Sequence, residues 1–471
     1  MNETDRNENQ VKNTQNDTKT RAIFLGLGLA ILLQICSTLL VYFYLNASLK
    51  VSVLTGATVL LITLWTNKAL PMGVVSLLPI ILFPVFGILD TKSATSNYAN
   101  PINFLFLGGF MIATATEKIG LHHIIARIFL ARFEQSPKGV ISALGFAAIA
   151  LGTALSNSTV TLLLLPVALS ITDSPFLKTR FLLAVAFGSS ISGITTPIGS
   201  PPNLIYLGFL ESIGLERINF ITWVLMMLPV TLLMFYMMVS ILSYGTKGYE
   251  LKPNIDNDIS ITKEHKRLLV ILATLLITLL LNSPIQPFYS GLGLNENLVL
   301  LAFGLTMFMP KIGFLDWSDS KSIPYELIFL FGASFCIAMA FSQAELGGAF
   351  EKFFKLFNSL PFIVFIFLVC CWAIVATGFL STTALIAIVL PIINVATSSF
   401  LDDTQRMLTM LIVTICASFS FMIPISTPPN AIVFSQGGIK TWDMIRFGFL
   451  LSLAGIVLIT LFGISYWRIF L

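Results

Sequence analysis

Apolar runs close to the length of a lipid hydrocarbon core recur along this chain, and they limit its fold more than any other feature. The first, "AIFLGLGLAILLQICSTLLVYFYL" from Ala22, carries no charge. A helix needs about 20 such residues to cross a bilayer, whereas a barrel strand shows a roughly 10-residue alternation. Only 11% of residues are charged, against about 25% in a soluble domain. Mean hydropathy is +0.89. These observations imply an all-α polytopic membrane protein, built to use lipid as a partner, and nothing points to nucleic acid.

Membrane segments are expected near 23–46, 52–66, 71–89, 102–117, 181–208, 222–244, 267–283, 297–309, 325–343, 405–436 and 444–468. Two further stretches, 139–171 and 361–399, carry a polar run near the centre and are short for two spans plus a turn. Each reads as a re-entrant helical hairpin, with two short spans as the alternative. The fold expected is therefore eleven transmembrane helices plus two re-entrant hairpins. Residues 1–22 lack an apolar signal-peptide core and read as a disordered cytoplasmic tail. With that tail inside, the large majority of the 27 lysines and arginines fall on the cytoplasmic side, as the positive-inside rule requires. The expected location is the cell membrane, multi-pass, with a cytoplasmic N-terminus.

Catalytic and metal chemistry find little to work with. The five cysteines, Cys36, Cys336, Cys370, Cys371 and Cys416, lie in apolar runs without metal-ligand spacing. His122, His123 and His265 stand near charges at segment ends and read as interfacial. No Ser-His-Asp set can be placed, so no enzyme is expected, and no cofactor.

Internal symmetry is the next signal. "NFLFLGGFMIATATEKIGL" from Asn103 resembles "ELIFLFGASFCIAMAFSQAELG" from Glu326. "ALSNSTVTLLLLPVAL" matches "GFLSTTALIAIVLPII", and "ISGITTPIGSPPNLIYLG" matches "FSFMIPISTPPNAIVFSQG". Three pairs recur in one order at nearly one spacing. Each unit holds five spans and a hairpin, so the second enters from the opposite side. Such an inverted-topology repeat is an architecture of secondary transporters. It divides the chain into a tail (1–22), two stretches without a hairpin (23–136 and 246–359) and two hairpin-bearing stretches (137–245 and 360–471).

Prolines interrupt two of the spans. Pro197, Pro201 and Pro202 break 181–208, and Pro424, Pro428 and Pro429 break 405–436. A simple kink is the alternative, but each break also carries Ser, Thr and Asn and has a partner in the other repeat. With the hairpin tips this makes four polar runs, none containing Lys, Arg, Asp or Glu. Helix N-termini and hydroxyls at mid-depth suit carboxylates, and carbonyl oxygens at breaks suit a small cation.

These residues resemble the divalent anion–sodium symporter (DASS) family of dicarboxylate transporters over about residues 23–471. SNS at 156–158 and STT at 381–383 stand where the family has Ser-Asn-Thr tips. SPPN at 200–203 and TPPN at 427–430 stand at its helix breaks, and "WTNKALPMGVVSLLP" resembles its Trp-x-Thr-Glu-Ala-x-Pro stretch. The resemblance implies a homodimer with a scaffold domain and a transport domain that slides as an elevator. By position it implies carboxylate contacts from Ser156, Asn157, Ser158, Ser200, Pro201, Ser381, Thr382, Thr383, Thr427 and Pro428. It implies one cation site at Gly152, Ser156, Asn157 and Gly199, and a second at Thr377, Leu380, Thr382 and Ser426.

Three departures bear on coupling. Thr382 replaces the family's Asn, Ser158 its Thr, and Asn67-Lys68 its Thr-Glu. Thr382 most weakens the case for sodium. The leading expectation is exchange of 2-oxoglutarate, malate, succinate or fumarate, as in sodium-independent relatives. Sodium-coupled uptake of the same acids is the first alternative, and an inorganic-ion transporter of similar architecture the second.

Overall fold

Prolines and small polar residues set where the helices begin. Pro137 and Pro175 occupy first helical positions, where a missing N–H costs nothing. Ser136, Asn219 and Asp402 cap their helices by accepting first-turn amides. In the computed structural model the regular elements of the described residues are all helical. The structure describes all residues except 1–2, 45–46, 68, 122–123, 125–135, 154, 252–260, 283–288, 345–359, 380–381, 399–400, 424–425 and 436–438.

The helices are α1 (Glu3–Tyr44), α2 (Leu49–Asn67), α3 (Met72–Val85), α4 (Thr91–Ser96), α5 (Pro101–Ile119), α6 (Pro137–Gly152), α7 (Asn157–Ser170), α8 (Pro175–Ser192) and α9 (Pro201–Ser212). They continue as α10 (Phe220–Ser243), α11 (Lys263–Asn282), α12 (Glu296–Thr306), α13 (Tyr325–Gln343), α14 (Phe362–Phe379), α15 (Thr382–Thr397), α16 (Asp403–Ala417), α17 (Pro428–Ser435) and α18 (Thr441–Ile464). Among the described residues, five helical stretches are long and apolar enough to cross a membrane: Thr20–Tyr44, Leu49–Asn67, Thr91–Ile119, Phe220–Ser243 and Thr441–Ile469. Their large apolar side chains face outward, as Phe24, Leu25, Leu232, Phe449 and Leu461 do. That inversion of the soluble pattern marks a multi-pass membrane protein.

The expected hairpins are present as helix pairs. The arms α6 and α7 have 16 and 14 residues, about 24 and 21 Å at 1.5 Å per residue. Neither reaches across a hydrocarbon core of about 30 Å. The second stretch also holds two successive helices, α14 of 18 residues and α15 of 16, with residues 380–381 between them outside the described set. Both expected breaks also occur. α8 stops at Ser192 and α9 starts at Pro201; α16 stops at Ala417 and α17 starts at Pro428.

Two segments differ from expectation. The polar stretch after Glu3, expected as a tail, continues the apolar helix α1, since extending a formed helix costs far less than starting one. The span expected at 297–309 is the eleven-residue helix α12. After it the chain turns back: Met307 O accepts from Phe314 N and Leu315 N, and Lys311 takes φ 68°.

The chain forms two compact units. The first comprises Met1–Ala99, Tyr325–Lys355 and Ala387–Ala396. In it α1 and α2 meet at Gly56, where a Cβ would lie 1.9 Å from Thr38 Oγ1. Trp65 Nε1 donates to Ser76 Oγ at 3.2 Å, and Tyr98 OH donates to Ser76 O at 2.6 Å. Asn67 donates to Gly26 O at 2.9 Å, and Lys68 lies outside the described residues.

The second unit comprises Asn100–Pro324, Leu356–Ile386 and Thr397–Leu471. Its innermost helices are α8, buried from Thr179 to Ser192, and α16, buried from Met407 to Ala417. A helix apolar on every side belongs inside a bundle. α8 lies so close to α6 that a Cβ on Gly188 would stand 2.9 Å from Gly145 O. α5 crosses α12 main chain to main chain: a Cβ on Gly304 would stand 2.6 Å from Gly108 Cα, and one on Gly108 2.3 Å from Leu300 O. The repeats interlock, with α17 against α7 and α8, and α9 against α16.

Candidate functional site

The first hairpin tip is built by capping. Ser156 takes extended angles and its Oγ accepts from Thr159 N at 3.2 Å, with Thr159 Oγ1 2.8 Å away. Its hydroxyl is thus partly committed to its own helix. Asn157 and Ser158 follow as the first two helical residues, whose N–H groups have no intrahelical acceptor. The Asn157 side chain leans onto the first break. Its Oδ1 lies 3.4 Å from Ser192 Oγ, which also donates to Ser189 O at 2.6 Å. Its Nδ2 lies 3.1 Å from where a Gly193 Cβ would stand, and Ser200 Cβ is 3.3 Å from the same point. Gly152 belongs here too, since a Cβ on it would meet Ser192 Oγ at 1.9 Å.

The first break settles its backbone with side chains. Asn203 Nδ2 donates to Gly193 O at 2.7 Å and to Thr196 O at 3.0 Å. Trp223 Nε1 donates to Ile194 O at 2.9 Å, and Thr196 Oγ1 donates to Thr153 O at 2.9 Å. Gly199 fits because a side chain would crowd this clamp: its Cβ would stand 2.9 Å from Gly193 O. Three carbonyls of this break, those of Gly193, Ile194 and Thr196, thus accept from side chains.

The second break reproduces the clamp at the spacing that separates Pro201 from Pro428. Asn430 Nδ2 donates to Ser420 O at 3.0 Å and to Ile423 O at 3.2 Å. Ser426 stands in Gly199's place, its Oγ 2.6 Å from Ile423 O and 3.0 Å from Ser420 O. Thr377 Oγ1 likewise turns to its own helix, 2.9 Å from Ile374 O and 3.1 Å from Ala373 O. Gly378 brings the second hairpin to this break, since its Cβ would lie 2.9 Å from Ile423 Cδ1.

Ser200 and Thr427 stand out. Both are buried, and each hydroxyl lacks a hydrogen-bond partner among the described residues. They occupy matching positions in the two repeats, directly before Pro201-Pro202 and Pro428-Pro429. Two prolines at a helix start leave no amide donor there. At both breaks the hydroxyl is thus the donor on offer. Asn203 Oδ1 and Asn430 Oδ1 are likewise buried and, among the described residues, without a hydrogen-bond partner.

The structure brings Gly152, Ser156, Asn157, Ser158, Gly199, Ser200 and Pro201 into one neighbourhood of the second unit. α17, with Thr427 and Pro428 at its start, packs on α7 and α8 beside it. Thr382 and Thr383 are half-buried at the start of α15, and no bond described here ties them to the breaks. Leu380, Ser381 and Pro424 lie outside the described residues. The four polar runs contain no titratable side chain, so any anion is met by dipoles and hydroxyls. Sequence reasoning missed Asn203, Asn430, Thr196 and Trp223. The two asparagines were visible in the repeated Pro-Pro-Asn, and the other two carried no signal.

Comparison with known proteins agrees with this picture. The family model described as CitMHS, citrate transporter, matches residues 58–414. The chain is 27% identical to the sodium-dependent dicarboxylate transporter SdcS of Staphylococcus saprophyticus, over 90% of this chain and 88% of that one. It is 27% identical to a sodium-dependent high-affinity dicarboxylate transporter of Caenorhabditis elegans, over 84% and 80%. An uncharacterized transporter of Haemophilus influenzae is 29% identical over 86% and 89%. The crystal structure of the Alcanivorax borkumensis YdaH transporter shares the fold, with a TM-score of 0.56 at 14% identity, covering 79% of this chain and 88% of that one.

Proposed function

We propose, for a chain that belongs to the CitMHS citrate transporter family, that its cargo is a C4 or C5 dicarboxylate: 2-oxoglutarate, malate, succinate or fumarate. The chain is a membrane transporter and not an enzyme, and its likeness to the dicarboxylate branch expected from the sequence is borne out. In this reading it sits in the cell membrane as a homodimer, N-terminus in the cytoplasm. Residues 137–245 and 360–471 move as an elevator against 23–136 and 246–359.

One observation carries the substrate class: the paired, buried hydroxyls of Ser200 and Thr427, without partners among the described residues, in polar runs whose sequence holds no basic residue. A helix N-terminus contributes about 0.3–1 kcal/mol per charge, and about 2 when partly buried. One end does not hold a doubly charged acid. Two symmetry-related ends do better, each taking one carboxylate. Asn157 and Ser158 supply amides and side-chain donors, Ser381 and Thr383 do so from the second tip, and the break hydroxyls complete the shell.

Exchange is the leading mode. The departure at the second expected cation site carries this preference: Thr382 lacks the amide oxygen of Asn157. Sodium symport is the second reading, favoured by relatives whose names carry sodium dependence. In that case Gly152, Ser156, Asn157 and Gly199 hold the ion. Counterflow of labelled succinate in proteoliposomes against a panel of internal anions, with and without sodium, tests both. Exchange requires internal dicarboxylate and ignores sodium. Uptake into empty vesicles driven by a sodium gradient reverses the preference, and no uptake of any dicarboxylate overturns the substrate class.

A further inference from the structure

The two breaks share one clamp but differ at the joint to their hairpins. In each, the asparagine amide ties two carbonyls, Gly193 and Thr196 in the first, Ser420 and Ile423 in the second. Thr196 and Ile423 are therefore equivalent residues with equally anchored backbones. Their side chains reach equivalent places, the end of the first hairpin arm, at Thr153 in one repeat and Gly378 in the other. Thr196 Oγ1 donates to Thr153 O at 2.9 Å. Ile423 Cδ1 lies against Gly378. One joint is a directional bond and the other an apolar contact.

We propose that Thr196 is a positioning residue that fixes the first hairpin tip against the first break. Thr153 caps α6, and its carbonyl is one of the helix-end acceptors with no partner in its own helix. The hydroxyl of Thr196, itself buried, satisfies that acceptor and fixes how far the tip lies from Ser200. Asn157, four residues further on, takes its place from the same joint. Thr196 touches no substrate in this scheme. The inference rests on the proposed function only for its transport readout.

Three variants test it: Thr196→Val, which keeps shape and loses the donor, Thr196→Ser, which keeps the donor, and Thr196→Cys, a weaker donor. A lost hydrogen bond of ordinary strength corresponds to about a five- to tenfold effect. In succinate counterflow, Thr196→Val should raise KM by about that factor with kcat within about twofold. Thr196→Ser should restore KM, and Thr196→Cys should fall between. Hydrogen exchange of the 151–159 peptide, read on the whole protein in nanodiscs, should quicken by a similar factor in Thr196→Val and not in Thr196→Ser. Unchanged tip exchange in Thr196→Val, or equal damage from Thr196→Ser, overturns the positioning role. If the unmodified protein transports no dicarboxylate, the proposed substrate fails while the exchange comparison still decides this inference.

Discussion

Removing the asparagine clamps one at a time should expose an inequality between the two halves. Asn203 and Asn430 are both fully buried, and each amide serves two backbone carbonyls. Asn203→Ala strands Gly193 O, while Thr196 O still accepts from Gly199 N. A buried acceptor left unmade costs about 1–3 kcal/mol. Asn430→Ala has a reserve, because Ser426 Oγ lies within bonding distance of both Ser420 O and Ile423 O. A hydroxyl has one proton, but Ile423 O also accepts from Ser426 N, so that proton can serve Ser420 O and neither carbonyl is stranded. The loss of the unpartnered Oδ1 returns a similar amount in both variants and cancels. The first break should therefore loosen by about 1–3 kcal/mol more than the second, about a five- to 150-fold difference in local opening. Hydrogen-exchange mass spectrometry of peptides covering 193–203 and 420–430, on protein in nanodiscs, reads that ratio. The double variant Ser426→Ala/Asn430→Ala should close the gap. Equal acceleration from the two single variants, or a larger effect from Asn430→Ala, would refute the reasoning.

Asn157→Ala should abolish succinate counterflow while the protein still elutes as a folded species, since the half-buried side chain leans on Ser192 and Gly193 of the first break and not on the apolar core. Arg217→Met should cost about 3–5 kcal/mol, because it leaves buried Glu296 without the guanidinium 3.6 Å away. Glu296→Gln should cost less, its amide oxygen still accepting from Phe220 N; thermal unfolding of the two variants ranks them. Asp319 is held below the ordinary carboxylate value of 3.8, chiefly by its hydrogen bond from Lys118. A carboxylate depressed in the folded state adds stability that is present above pH about 4 and is lost as pH falls through its folded value. Asp319→Asn should flatten that acid limb of a melting-temperature profile, and a limb of unchanged slope would count against the pair.

The hairpins and breaks were legible because the signals that make them are local and appear twice. Polar residues between apolar arms and Pro-Pro at helix starts dictate their own backbone, and the repeat shows that neither instance is chance. The 297–309 segment was legible in place but not in its end. Its apolar run "LVLLAFGLTMFMP" marks α12, whereas the turn over Lys311 and the bonds to Met307 O depend on residues just past it. The clamps of the site were only half legible. Asn203 and Asn430 act on carbonyls seven to ten positions back, which a repeated motif hints at. Trp223 reaches Ile194 and Thr196 reaches Thr153 across separate helices, and no spacing rule predicts that. Nor does sequence tell that the Ser426 and Thr377 hydroxyls donate to carbonyls of their own segments.

The crossing of α5 over α12 at Gly108 and Gly304 joins bare peptide to bare peptide. A joint of that kind has no rotamers to trade and no lever arm through which a neighbour's shift could be absorbed by degrees. It behaves like a weld: while the protein works the two segments travel as one piece, and a methyl group on either glycine would have to pry that piece apart.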